Sequence, residues 1–363
     1  MPRGGRLTEA DGEPAAAPPA GRRRLDLADV SGQHEARAAL LLAAAGGHHM
    51  LLNGPPGSGK TMLAERLVTI LPLLTREQAL ESLAVRSVVG AMPTGIDLVP
   101  PFVAPHHSAS VAALVGGGSG AVLPGAVSQA HHGVLFLDEA AEFGGAVLQA
   151  LRQPLESGRI VVSRAREQVT YPARVQLIAA MNPCRCGHLA DASLACARAP
   201  RCAADYQSRI SGPLIDRIDL FVDIQAVKAS DVRQQSIWDS QKLMRLPKPE
   251  SSADVRRRVI AAQAVRDSRR LKERSEATNT DTLAGIEAMC DLSALEVLDS
   301  AISALGLGVR DRARVLRVSR TIADLAASEK VCRDHILEAA AYRRLTSHQW
   351  IGPSGSHIGP APA

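Results

Sequence analysis

At 363 residues the chain exceeds one ordinary domain and suggests two, or a large domain with a smaller one attached. With 46% hydrophobic and 22% charged residues it is globular in composition, which excludes wholesale disorder. The net charge of +5, from 36 Arg and six Lys against 37 acids, permits a polyanionic partner without demanding one, and nine scattered aromatics argue against a base-stacking platform.

Residues 1–24 are rich in Gly, Pro, Ala and Arg, lack periodicity, and read as a disordered basic tail. Residues 25–227 alternate short apolar runs with helical patterns. The runs are His49 to Asn53, Gly133 to Leu137, Val175 to Ala180 and Leu220 to Ile224. Unbroken apolar runs between helices predict an α/β core with a buried parallel sheet. The longest apolar stretch, Ala38 to Ala45, is far short of the roughly 18 residues of a membrane span, and the N-terminus has no secretory h-region. The expected setting is the cytoplasm, with no membrane partner. Residues 228–250, with Pro247 and Pro249, read as a linker, and residues 251–346 as a small all-α lid domain. In the lid, Leu295, Leu298, Ile302 and Leu305 share a helix face ahead of a C′ glycine, Gly306, and Val315, Val318, Ile322 and Leu325 repeat the pattern. Residues 347–363 are a second tail. The lid's first helix carries Arg256, Arg257, Arg258, Arg266, Arg269 and Arg270, which suit a solvated face or a polyanion-facing one.

Gly54-Pro55-Pro56-Gly57-Ser58-Gly59-Lys60-Thr61 fits G-x-x-x-x-G-K-[ST] between a strand and a helix that opens with Met62. In such a loop backbone N–H groups surround phosphates, Lys60 reaches the β/γ-phosphates and Thr61 helps hold Mg²⁺. Asp138 and Glu139 end the second strand, where the first carboxylate acts on Mg²⁺ and the second polarises the attacking water. Asn182 ends the third strand; a γ-phosphate sensor and a satisfied turn amide fit its position equally well.

Cys184, Cys186, Cys196 and Cys202 fall within 19 positions and are candidate ligands for Zn²⁺, although the C-x-C start and the five-residue last gap depart from common zinc spacings. Cys290 and Cys332 read as core. His106-His107 and His131-His132 look like metal pairs, but neighbouring side chains on a strand point to opposite faces, so they read as structural or polar-network residues. Gly158 to Pro172 reads as a β-hairpin with Arg164 and Arg166 near its tip, a candidate phosphate-backbone contact for DNA or a solvated tip.

Asp29-Val30-Ser31-Gly32-Gln33, the two phosphate-site motifs and Asn182 together resemble an AAA+ ATPase. Ala104 to Ser108, Ala113 to Gly118, Leu151 to Glu156, Ala179 to Cys184, Ser211 to Asp219 and Arg320 to Leu325 are similar to the YifB/ComM group of magnesium-chelatase-like AAA+ proteins. The resemblance runs from about Leu25 to Leu345. It implies a ring, most simply a homohexamer, that binds ATP with Mg²⁺ at subunit interfaces and hydrolyses it. By resemblance Asn182 is the sensor. Arg217 is the arginine finger offered to the neighbouring subunit, with an ion pair to Asp216 or Asp219 as the other reading. Arg310 is a sensor-2 arginine reaching the nucleotide of its own subunit, Gln33 lies by the adenine, and Arg209 is a second inter-subunit candidate. The expected work is DNA branch migration or helicase action in recombination or DNA uptake. Remodelling of a protein partner, as in a chelatase motor, is the alternative, and assistance to a full-length relative is a third option. Two departures are that relatives usually begin with a Lon-protease-like domain, absent here, and tend to carry Leu-Pro where this chain has Ala140-Ala141.

Overall fold

A computed structural model of the protein describes residues 25–90, 95–117, 122–163, 168–187, 197–198, 201–210, 212–225, 250–276 and 282–343. In chain order, the first part contains α1 (His34–Gly46), β1 (Met50–Asn53), α2 (Lys60–Ile70), α3 (Arg76–Val88), β2 (Phe102–Val103), α4 (Val111–Val115), α5 (Ala126–Gln129) and β3 (Val134–Leu137). Then come α6 (Gly145–Ala150), α7 (Arg152–Ser157), β4 (Arg159–Ser163), β5 (Gln168–Pro172), β6 (Gln176–Met181), α8 (Arg201–Gln207), α9 (Gly212–Ile215) and β7 (Leu220–Asp223). The lid contains α10 (Ser252–Glu276), α11 (Leu283–Ala288), α12 (Leu292–Leu305), α13 (Val309–Leu325) and α14 (Arg333–Ala341). The architecture is the α/β core and all-α lid expected from the sequence.

Five parallel strands form one sheet in the order β2-β3-β6-β1-β7. Strand alternation feeds two cores, one on each face. Met50, Leu52, Phe136, Ile178 and Ala180 pack with α1, α2 and the lid, while Leu51, Leu135, Leu137, Leu177 and Ala179 pack with α5, α6, α8 and α9. Burial on both sides explains why these strands read as unbroken apolar runs. Each fully buried Leu or Phe contributes ~1.5–3 kcal/mol of hydrophobic stabilisation. The edge strand β2 spans two residues, too few for any periodic signal, and the sequence reading missed it. It pairs with β3 and stacks Phe102 on Phe136, ring centroids 5.7 Å apart. A separate antiparallel pair, β4 and β5, opposes Ile160 to Tyr171 and Val162 to Val169.

The lid packs on the α1 face and on the amino ends of the strands. Gly306 ends α12 at φ 60°, the left-handed value that glycine adopts at least cost. The lid faces read from sequence are partly covered: Leu298, Val315, Val318 and Ile322 are buried, while Leu295 and Leu305 are half-buried. Cys290 and Cys332 are half-buried too, and burial pushes the Cys290 thiol up to about 11.

Asp219, just before β7, joins lid and core. It accepts from Arg314 of α13 at 2.7 Å and from the backbone N–H of His49 at 3.1 Å. Burial alone would raise its pKa, but His48, His49 and Arg314 outweigh burial and hold the carboxyl well below the usual range. A depressed carboxyl stabilises the fold above its unfolded pKa near 4, and that contribution is lost as pH falls through the folded value. Replacing Asp219 by Asn should therefore cost ~3–5 kcal/mol at neutral pH by leaving Arg314 buried without its charge partner. Urea midpoints measured from neutral pH downward check this, and the variant should lose part of the wild-type acid sensitivity below about pH 4.

Candidate nucleotide site

The first half of the site lies at the carboxyl ends of the strands. β1 runs into Gly54, where an added Cβ would sit 2.4 Å from the carbonyl oxygen of Ile224, so no side chain fits. Gly59 takes φ 89° and starts α2 without a side-chain cap, which leaves the first-turn N–H groups and the positive helix end open to an anion. Ser58, nearly fully buried, has no hydrogen-bond partner for its hydroxyl among the described residues. Lys60 curls back into the loop. Its ammonium donates to the carbonyls of Gly54 at 2.7 Å and Pro55 at 2.8 Å, and to Asn182 Oδ1 at 3.1 Å. Burial lowers its pKa, against the opposing pull of Asp138 and Glu139.

Thr61 Oγ1 donates to Asp138 Oδ2 at 2.8 Å, so the two oxygens expected to share Mg²⁺ are adjacent. They suit a hard cation, which takes oxygen ligands. Glu139 follows at φ 51°, a left-handed backbone uncommon for a non-glycine residue, which turns its side chain away from the line of β3. Its carboxylate lies 3.4 Å from His107 Nδ1. A contact with Glu139 fits the structural or polar-network reading of His107; its loop follows β2, and that strand lies beside β3. The amide of Asn182, one residue beyond β6, reaches Lys60 across the strand boundary. Tyr206 of α8, also missed, is buried near Asn182; burial, reinforced by Glu142 and Glu139, pushes its hydroxyl up to about 12. Gln33, at φ 50°, donates from Nε2 to the Gln225 carbonyl at 2.8 Å and approaches the Ser58 carbonyl at 3.5 Å, spanning the rim of the loop. Met62 is partly buried in the first turn of α2.

The expected arginines lie elsewhere. Because the sheet is parallel, Asp216 to Asp219 sit at the amino ends of the strands, where the backbone N–H of Asp219 meets the carbonyl of His49 at 2.9 Å. Four residues of strand separate that edge from the P-loop, about 13 Å of backbone. Arg217 is buried there, bonded to Glu156 and, at 2.5 Å, to the Pro213 carbonyl; neither Asp216 nor Asp219 is its partner. Arg310, at the start of α13, is 2.5 Å from Asp216. The lid docks on the amino edge of the sheet and in this form carries Arg310, by resemblance a sensor-2 arginine, to the side of Arg217. Both border a cavity of about 620 Å³ lined by eight arginines and four acids, a strongly positive cleft. Arg209 instead belongs to the carboxyl edge, paired with Glu142 at 3.0 Å and 5.9 Å above the Tyr206 ring.

Other expectations resolve unevenly. Cys184, Cys186 and Cys202 bring their sulfur atoms within 4.8 Å of one another, and Cys196 lies outside the described residues. Arg164 and Arg166 also lie outside them, between β4 and β5. His131 and His132 do not diverge as adjacent strand residues would. They sit in the turn before β3, His132 at φ 60°, with ring centroids 3.9 Å apart and both Nε2 atoms on Glu81, at 3.1 and 2.7 Å. His131 Nδ1 accepts from the Arg174 backbone N–H, so its Nε2 carries the proton and donates to Glu81; this is a hydrogen-bonded clamp on α3 rather than a metal site.

Residues 26–232 match the family model for magnesium chelatase, subunit ChlI, and residues 249–343 match that for the C-terminal part of the same subunit. An uncharacterized protein YifB of Salmonella typhimurium is 44% identical over 330 residues, covering 88% of this chain and 60% of that protein. The competence protein ComM of Haemophilus influenzae is 41% identical over 328 residues, covering 90% of this chain and 61% of that protein. The magnesium-chelatase 38 kDa subunit of Rhodobacter capsulatus is 24% identical over 230 residues, 61% of this chain and 54% of that subunit. The chain thus spans about 60% of the length of its YifB and ComM relatives.

Proposed function

The chain belongs to the magnesium chelatase subunit ChlI family of AAA+ proteins, and from that premise we propose that it is a Mg²⁺-dependent ATPase working in the cytoplasm as a ring, most simply a homohexamer, that moves on DNA. One observation carries the ring reading. The phosphate-binding half of the site, Lys60 with Asn182 and Thr61 with Asp138, is at one end of the sheet, while Arg217 and Arg310 are at the other. A chain in that form cannot place either arginine on its own triphosphate, but a head-to-tail neighbour can.

Within the site, the loop N–H groups and Lys60 bind the phosphates of ATP, and Thr61 and Asp138 hold Mg²⁺. Bound there, Mg²⁺ would supply positive charge against the phosphates as negative charge builds up on them. Glu139 accepts a proton from the attacking water, and Asn182 orients that water. His107 fixes the direction of the Glu139 carboxylate. From the neighbour, Arg217 and Arg310 stabilise charge on the γ-phosphoryl group. Arg217 must first leave Glu156, an exposed carboxylate of one charge, for a phosphate of higher charge.

Movement on DNA is assigned through the β4–β5 hairpin. Ile160 anchors its base, and Ala173 at its exit donates to the Gly158 carbonyl directly ahead of β6, the strand that ends at Asn182. A tip carrying Arg164 and Arg166 suits a phosphate backbone without regard to sequence. The printed name of one relative, a competence protein, agrees with work on DNA. Replacing Arg164 and Arg166 together by Ala should leave hydrolysis without DNA intact. It should weaken DNA binding and reduce the slope of log K against log salt by about 1–2. Unchanged DNA affinity in that variant contradicts the hairpin assignment, and no DNA binding by the unsubstituted protein at low salt transfers the work to a protein partner.

A further inference from the structure

We propose that the thiolates of Cys184, Cys186 and Cys202 hold one zinc ion, and that this metal-bound knuckle fixes the P-loop and Asn182 relative to each other. The three sulfurs come from two segments, the turn after β6 and the helix α8, and lie within 4.8 Å of one another, with Cys184 and Cys186 Sγ at 3.1 Å. A tetrahedral zinc with sulfur bonds of about 2.3 Å has sulfur–sulfur edges of about 3.8 Å, inside that spread. Three thiolates leave the fourth position of the tetrahedron for water or another ligand.

Among the described residues, Cys184 and Cys202 are buried in a small cluster that holds Ala203 besides, with Cys186 against it. A soft divalent cation bound by thiolates ties the turn to the helix, at the cost of releasing the thiol protons.

The knuckle also touches the nucleotide site on both sides. Gly187 closes the turn with its N–H on the Cys184 carbonyl at 3.0 Å and takes φ 82°. A Cβ there would sit 2.5 Å from Pro56 Cδ, so the turn lies directly on the P-loop. On the other side Gln207 Nε2 donates to the Pro183 carbonyl at 3.0 Å, one residue beyond Asn182. A single residue, Pro183, separates Asn182, which bonds Lys60, from Cys184. Zinc that holds Cys184, Cys186 and Cys202 together therefore holds Pro56 and Asn182 in place. The coupling to ATP rests on the nucleotide reading of the P-loop, whereas the metal site does not.

The test uses the full chain, purified without a metal-affinity column. Elemental analysis should find one zinc per chain, and replacement by Co²⁺ should give the sulfur-to-cobalt charge-transfer band and the intense visible bands of a tetrahedral thiolate site. Cys184→Ser and Cys202→Ser should each lose most of the zinc. Removing zinc with a chelator should weaken binding of a fluorescent ATP analogue about tenfold, restored by Zn²⁺, since linked sites commonly shift each other's affinity by about 5–150-fold. A chain without zinc that also gives no thiolate bands with Co²⁺ overturns the metal site, a result needing no variant to fold. Zinc bound with nucleotide affinity unchanged by its removal overturns the coupling. Zinc bound by a chain with no affinity for ATP overturns the P-loop reading and leaves the metal site standing.

Discussion

Glu139→Gln should bind ATP about as well as the unsubstituted protein and hydrolyse it slower by about 10²–10⁴-fold, the range that a positioned general base contributes. The amide keeps the size and shape of the side chain and removes only its capacity to take a proton. Glu139 makes no hydrogen bond to Lys60 or Thr61, which bind Asn182 and Asp138 instead, so the phosphate-binding half of the site should survive the change. Lys60→Ala should behave differently and lose binding, because the ammonium joins two loop carbonyls and Asn182. Equilibrium binding of a fluorescent ATP analogue beside phosphate-release rates separates the two defects. Normal turnover by Glu139→Gln contradicts the role given to this residue.

Arg217→Ala should reduce hydrolysis by about 10³–10⁵-fold, as loss of an arginine finger does, again with ATP binding retained. The fold should tolerate the change. Its main partner, Glu156, is largely exposed and can be hydrated once the guanidinium is gone, so this ion pair contributes little to stability. Steady-state ATPase measured at a protein concentration that keeps the ring assembled checks the expectation, with unfolding midpoints as control. A loss of stability matching the loss of activity would instead make Arg217 a structural residue.

The parts of this molecule legible in its sequence are those where one local rule decides. Strands β1, β3 and β6 are buried on both faces and so appear as unbroken apolar runs. The glycines of the P-loop follow from backbone demands, a close approach at Gly54 and φ 89° at Gly59. What was missed depends on tertiary placement. The role of Arg310 at its own subunit's nucleotide comes from the family resemblance, and the sequence alone does not say where its lid helix places it. Which end of the sheet that helix meets is decided by contacts such as Arg314 with Asp219 and Arg343 with the Ile218 carbonyl, scattered over more than ninety positions. His107 beside Glu139 was hidden for a related reason, since a two-residue strand, β2, sets its position. The stacked His131 and His132 diverge from the strand rule because a left-handed residue breaks the alternation.

The central claim is that each site is built by two subunits, and a mixture of two inactive variants tests it most directly. Lys60→Ala subunits keep Arg217 but lack a working P-loop; Arg217→Ala subunits keep the P-loop but lack the arginine. At equal proportions about one quarter of the interfaces of a head-to-tail ring pair an intact P-loop with an intact arginine. Hydrolysis should then rise well above the sum of the separate variants and peak near equal mixing. Activity that stays at that sum at every ratio, with the two variants shown to assemble together, would contradict a site shared between neighbours.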